Sequence, residues 1–454
     1  MILVSLRRFA AFSAKGAIKV RKNMSTGNEM YKLAEELYPI GRSLTGAGVR
    51  ETLAILKREL PELTVHEVPS GTKVFDWTVP KEWSIREAYI EDEAGNRIVD
   101  YGKLNLHVVG YSTPVDLWVD LEELKQYIYV QAGQPDAVPY VTSYYKERYG
   151  FCMSEQQRDS LKPGKYHMYI DSELFDGSLT YGELILPGQE EKEILVSTYV
   201  CHPSMANNEL SGPVLAVALA KALAKQPNRK YTYRFVWIPE TIGSITYLSR
   251  HIEEMKRNTI AGFVLSCVGD DRTYSYIPSR PGDTLADRAA QNVLHFHYPE
   301  YVRYTFLNRG SDERQYNAPG VDLPVCVVCR SKYGEYPEYH TSLDDLSVIS
   351  PEGLQGAYDV YMAIFEAIEY NAFYRIKCMC EPQLGKRGLY PNVSQKGSYN
   401  NVKSMVDFIA YADGKKDLLE ISNIIGVPVS HLIPVITKLT EAELLECSYE
   451  SKKD

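Results

Sequence analysis

Residues 193–224, EILVSTYVCHPSMANNELSGPVLAVALAKALA, decide how the rest of the chain is read. The run from Ile194 to Cys201 is apolar and β-branched with little polar alternation, which is the pattern of a strand buried on both faces. A polar loop follows, with His202, Asn207, Asn208 and Glu209. Ser211-Gly212-Pro213 then opens a helix whose Ala216, Ala218, Ala220, Ala222 and Ala224 permit close packing on a sheet. Ligand-type side chains between a strand's C-terminus and the next helix sit where open α/β sheets place their sites.

Alone, His202 reads most simply as a strand cap. Three further segments change that. YTYRFVWIPE (231–240) is a strand ending in Glu240. LNRGSDERQYNAPGVDLPVCVV (307–328) carries Asp312 on a loop ahead of another strand. EYHTSLDDLSVIS (338–350) puts His340 after that strand and before a helix. Two histidines, an Asn-Glu pair and an isolated carboxylate, all at strand ends, make a plausible metal site.

In order, CHPSMANNELSG, IPETIGS, GSDERQY and YHTSLDDL resemble the zinc aminopeptidase and glutaminyl-cyclase superfamily, which reads H-x-D, D-N-x-S-G, E-E-x-G, S-D-H and H-T-x-x-D. From Met30 onward the chain is similar to bacterial aminopeptidase-like proteins with an inserted β domain and a C-terminal winged helix. The resemblance implies an α/β fold: a zinc-exopeptidase-like, mostly parallel sheet flanked by helices. It implies His202 and His340 as metal ligands. Glu240 is expected as general base, with direct ligation as the close alternative. Asp312 would orient the site or bind a substrate amine. The motif's second carboxylate is replaced by Thr241, the metal-bridging Asp falls on Asn208, and a second-metal Asp falls on Ser266. Glu209, next to Asn208, is the carboxylate that would complete the ligand set. Fewer carboxylates favour one zinc ion over two. Tyr333, Tyr336 and Tyr339 lie close to His340, and Tyr339 is the phenol chosen as donor to a developing oxyanion.

Composition is that of a soluble globular protein of two or three domains: 454 residues, 44% hydrophobic and 24% charged. A net charge of -9 argues against general nucleic-acid affinity. Tyrosine stands out, with 35 residues against 12 Phe, and suits polar clefts, interfaces or carbohydrate-facing surfaces as well as a core. The 8 cysteines form no disulfide framework and read as reduced structural thiols, which points to a cytoplasmic protein. No run approaches the ~20 apolar residues of a membrane span. Residues 1–29 form a basic arm, expected to be disordered; it resembles a transit peptide, and an upstream start before Met24 or Met30 is the simpler explanation.

The expected organisation is an aminopeptidase-like domain over 30–62 and 165–375, a β-rich insertion over 63–164, and a winged-helix-like module over 376–454. Strands of the main sheet are expected at 166–171, 194–201, 231–238, 260–268 and 322–329; those of the insertion at 64–68, 88–91, 104–109 and 117–119. The segment 135–151, rich in aromatics, reads as a wall over the site or as the small domain's core. Residues 376–454 carry ten Lys/Arg and ten Asp/Glu, so the module is expected to dock a protein, a second subunit or the neighbouring domain rather than bind DNA. The function expected is zinc-dependent hydrolysis of a peptide or aminoacyl amide beside a free amine. The alternative is a degenerate peptidase fold used for binding, favoured by Asn208 and Ser266.

Overall fold

The computed structural model describes residues 25–144, 146–389 and 402–449. Residues 1–24, most of the basic arm, lie outside it, whereas 25–29 are helical rather than disordered. Two helices, α1 (Ser25–Leu37) and α2 (Ala47–Glu59), bury Met30, Leu33, Leu37, Leu53 and Leu56. After β1 (Thr64–Pro69) come β2 (Glu82–Asp92), β3 (Arg97–Asp100), β4 (Val115–Asp120) and β5 (Lys165–Phe175). The chain then runs β6 (Ser178–Leu186), β7 (Glu193–Tyr199), α3 (Ser211–Ala224), β8 (Thr232–Ile238), α4 (Ile242–Asn258) and β9 (Thr259–Leu265). Next are β10 (Ser275–Ile277), α5 (Leu285–His297), β11 (Val302–Arg303), β12 (Val325–Cys329) and α6 (Pro351–Tyr370).

The large sheet has the order β1-β6-β8-β7-β9-β12-β10-β11. Its centre, β8-β7-β9-β12, is parallel. Flanking pairs β1/β6, β6/β8 and β10/β12 are antiparallel. All seven residues of β7 are buried, as helices on both faces require of a central parallel strand. This is an α/β fold with a mostly parallel sheet flanked by helices.

A second sheet, β3-β2-β5-β4, forms the β-rich insertion around its own core of Ala88, Ile90, Val115, Val119, Met168 and Ile170. Here the structure departs from expectation. The strand expected at 166–171 is β5, and it pairs with β2 and β4 rather than in the large sheet. Its alternation, with Tyr166, Met168 and Ile170 buried and their neighbours not, belongs to a sheet wet on one face. The large sheet resumes with β6, which the sequence reading missed. Conversely β1 is an edge strand of the large sheet, and Asn105–His107 is a 3₁₀ turn, not part of a strand.

The C-terminal module consists of β13 (Phe373–Ile376), α7 (Lys403–Tyr411), β14 (Asp413–Asp417), α8 (Leu418–Ile425), α9 (Val429–Glu441) and β15 (Leu445–Ser448), a winged helix with sheet order β14-β13-β15. It docks on its own chain: Arg288 Nη2 lies 2.5 and 2.6 Å from the two Asp417 carboxylate oxygens, and Asn292 Nδ2 donates to Ser422 Oγ at 2.9 Å. Helix α9, in the position of a recognition helix, exposes His431, Lys438 and Glu441. A duplex reader needs several phosphate-facing cations. The expected result is that the full chain forms no sequence-specific, salt-sensitive complex with duplex DNA in an anisotropy titration; such a complex would contradict the reading. Among the described residues no single helix is long and apolar enough to cross a membrane.

Candidate metal centre

The parallel strands deliver their C-terminal ends to one edge of the sheet. His202 follows β7, Glu240 follows β8, Ser266 follows β9, and His340 lies in the loop after β12. Between His202 and α3, Ala206–Leu210 forms one π-helical turn with all five residues buried, placing Asn208 and Glu209 under the site. The close approach beneath it depends on Gly212, where a Cβ would come within 2.3 Å of Thr198 Oγ1 and 2.4 Å of the Leu265 carbonyl.

His202 is gripped on both ring nitrogens. Nδ1 lies 2.8 Å from Glu209 Oε2, and Nε2 lies 3.5 Å from Glu240 Oε2. The His340 ring is 5.5 Å away, centre to centre. Burial depresses both imidazoles to about 3, with Arg42 adding to the effect on His202 and His202 to that on His340. Both are therefore neutral, the form that binds a metal. Glu209 is fully buried and pushed up to about 8 by burial, against the pull of Arg42, whose Nε lies 3.7 Å from Oε1. The same Nε donates to the His202 carbonyl at 3.0 Å.

Glu240 keeps 22% of its side chain exposed, the opening through which a substrate can reach it. Burial first, and then the charge of Asp312, push its carboxyl up to about 8. Thr241, the next residue, has φ of 63°, and Ile242 N donates to the Glu240 carbonyl at 2.8 Å to close a γ-turn. A β-branched residue there is strained by about 1–3 kcal/mol. Asp312 offsets this: its Oδ1 accepts from Thr241 N at 2.7 Å and from Ser244 Oγ at 2.8 Å. Hydrogen bonds to a charged group contribute about 1.5–3 kcal/mol each, so the two bonds hold the turn. Asp312 is fully buried, and its two hydrogen bonds tie it to the turn that follows Glu240.

At Asn208 and Ser266, where the resemblance implies metal-binding carboxylates, a neutral cluster stands instead. Tyr199 donates its hydroxyl to Asn208 Oδ1 at 3.1 Å and is hydrogen-bonded to Ser266 Oγ. Asp344 braces the loop from below, accepting from Asn207 N at 2.7 Å and Asn208 N at 2.9 Å. The three tyrosines near His340 separate cleanly. Tyr333 is hydrogen-bonded to Glu313 and Tyr336 to Asp344, whereas the Tyr339 hydroxyl has no partner among the described residues and its ring stacks on His340 at 3.9 Å. Two members of the site were not singled out from sequence. Tyr140, from the insertion, packs its ring 5.0 Å from His202 and 5.2 Å from His340 and donates its backbone N–H to the His340 carbonyl. The signal for it was the aromatic run at 135–151; Arg42, in a Gly-rich loop, gave none.

Two donor sets surround His202. Cys201, His202 and Glu209 bring ligand atoms within 4.8 Å of one another, but all three are buried, and Glu209 already holds Nδ1. On the open side, Glu240 Oε2 lies 3.5 Å from His202 Nε2, and the His340 ring lies 5.5 Å from the His202 ring, centre to centre. At that distance Nε2 and Glu240 Oε2 are close enough to border one ion. Glu209, 2.8 Å behind Nδ1, fixes the orientation of the ring that turns Nε2 toward Glu240. Among the described residues only the buried set brings three ligand atoms within 4.8 Å, so the open set would need His340 to shift toward Nε2 to hold an ion.

Residues 31–371 match the family described as a domain of unknown function, DUF4910, and residues 372–447 match a winged helix-turn-helix family. A protein of Clostridium acetobutylicum, designated a candidate polysaccharide biosynthesis protein with an aminopeptidase-like domain, is 44% identical over 94% of this chain and 98% of its own. The crystal structure of a candidate peptidase from the same organism superimposes with TM-score 0.88 at 42% identity, covering 98% of this chain and all of that one. A zinc aminopeptidase from Bacillus subtilis shares the fold, with TM-score 0.57 at 14% identity over 75% of this chain and 94% of its own. The chain therefore belongs to the DUF4910 family, here joined to a C-terminal winged helix, and has the fold of a zinc aminopeptidase.

Proposed function

We propose that the protein is a single-zinc hydrolase acting on a peptide or aminoacyl amide bond beside a free amine. The observation that carries this is the partly exposed carboxylate of Glu240 lying 3.5 Å from Nε2 of the neutral His202 at the sheet's C-terminal edge, with the neutral His340 ring 5.5 Å from that of His202. His202 Nε2 and His340 would hold the ion, with Glu240 beside it as general base and direct ligation by Glu240 as the close alternative. When bound, zinc polarises the scissile carbonyl and acidifies the attacking water. Glu240 accepts the water's proton on its carboxylate and returns it to the leaving amine. Tyr339 donates its unpartnered hydroxyl to the oxygen that gains charge. Tyr140 closes the space over both histidines and excludes bulk water.

The test is zinc analysis of protein purified without chelator, paired with a screen of aminoacyl and dipeptide amides. Close to one zinc per chain is expected, and His202→Ala and His340→Ala should each lose it while the sheet stays folded. Two tightly held ions, or full occupancy in both variants, would refute the site. The neutral Tyr199-Asn208-Ser266 cluster favours a second reading, a binding protein on a peptidase fold; it gains if zinc binds and no amide is turned over.

The metal also sets a pH dependence. In the zinc-free protein Glu240 and Glu209 keep their protons until about pH 8, so the stability they contribute is lost as pH rises through that value. Both histidines, depressed to about 3, are already neutral and add no slope above pH 6.5. Zinc needs Glu240 unprotonated and must expel its proton at lower pH. The Tm difference between zinc-loaded and chelator-treated protein should therefore widen from about pH 6 to about pH 8 and then level. A flat or shrinking difference would contradict Glu240 bordering the ion.

A further inference from the structure

The inserted sheet buries one face on its own core and leaves the other uncovered. Two cross-strand rows run over the uncovered face. Trp118, His167, Glu91 and Arg97 are in register in one row, and Asp116, Tyr169, Tyr89 and Asp100 in the next. The rings stack across strands: Trp118 on His167 at 5.0 Å and 9°, Tyr89 on Tyr169 at 5.0 Å and 27°. The Arg97 guanidinium lies 4.0 Å over the Tyr89 ring. Strand β4 is the edge of this sheet, so Trp118 has His167 on one side and no strand beyond it on the other, and it is 51% exposed.

The charges on this face are already spent on one another. His167 Nε2 lies 2.7 Å from Asp116 and Nδ1 3.1 Å from Glu91; Arg97 pairs with Glu87 at 2.7 Å, and Arg86 with Asp171. What remains unpartnered among the described residues is neutral: the Trp118 indole N–H and the Tyr89 and Tyr169 hydroxyls. We propose that this face binds a neutral oligosaccharide, independently of the zinc site. A pyranose has a C–H face that stacks on an aromatic ring and a rim of hydroxyls that bond to indole N–H, phenol and the free lone pairs of fixed carboxylates. A protein partner would need about 800 Å² with an apolar centre, whereas Trp118 is the large apolar side chain this face exposes; Leu117 has the opposite parity along β4. The paired acids also disfavour nucleic acid and anionic lipid.

The test titrates the zinc-loaded full chain with neutral hexasaccharides of glucose (α-1,4 and β-1,4), mannose and N-acetylglucosamine, and with an oligoglucuronate, read by tryptophan fluorescence and calorimetry. At least one neutral hexasaccharide should bind with Kd of about 1 mM or tighter. Trp118→Ala should weaken it roughly 5–10-fold, while Trp118→Phe, which keeps the stack, retains most of the affinity. Zinc content should be unchanged in both, which also reports that they fold. No binding by any neutral saccharide, binding of the oligoglucuronate alone, or binding indifferent to Trp118→Ala would each overturn the proposal.

Discussion

Glu240→Gln is expected to lower turnover of any amide substrate by ~10²–10⁴-fold while the zinc stays bound. Glutamine keeps the shape of the side chain and leaves an amide oxygen facing the ion, but it cannot take a proton from water. The surroundings argue that the proton acceptor matters here. Asp312 and the γ-turn at Thr241 fix the backbone of Glu240, so the substitution changes chemistry without moving the loop. Single-turnover rates and metal content measured on the same samples separate the outcomes. If zinc leaves with the activity, Glu240 is chiefly a ligand. If the variant is as active as the parent, the catalytic assignment fails.

Above about pH 8, where Glu209 is ionised, Arg42→Met is expected to destabilise the protein by about 3–5 kcal/mol, the range for breaking a buried ion pair from one side. Arg42 and Glu209 both have fully buried side chains, and Arg42 also ties the His202 carbonyl and the Leu37 carbonyl into one bracket. Methionine fills most of the space and leaves Glu209 without its cation. The loss should shrink as pH falls below about 8, because Glu209 can then take a proton and become neutral. Urea midpoints at two pH values measure both effects. A variant as stable as the parent would mean that Arg42 is a spectator.

Sequence revealed the parts of the fold that burial dictates. The central parallel strands are apolar throughout because helices cover both faces, so β7, β8 and β9 could be placed with confidence in their type. Strand membership was less legible: β5 and β1 alternate in ways that do not say which sheet they join, and pairing partners far along the chain decide it. The site's residues stood out because polar groups at the ends of apolar strands are conspicuous. Their arrangement did not. The π-turn at Ala206–Leu210 rotates Glu209 toward Nδ1 of His202, and a rotation of that kind leaves no trace in residue spacing. Arg42 reaches His202 across 160 residues, a contact with no local pattern to announce it.

The pairing between the insertion and the His340 loop has a consequence of another kind. Val138 N donates to Ser342 Oγ and Tyr140 N to the His340 carbonyl, joining segments 204 and 200 residues apart, and Pro139 bridges Thr341. Contacts of that sequence separation close late, because the loop entropy falls due before the contact repays it. The large sheet can therefore be complete, and the chain native by its helix content, while His340 is still unplaced. Assembly of the proposed metal site is thus expected to lag the central parallel strands, which pair over much shorter separations.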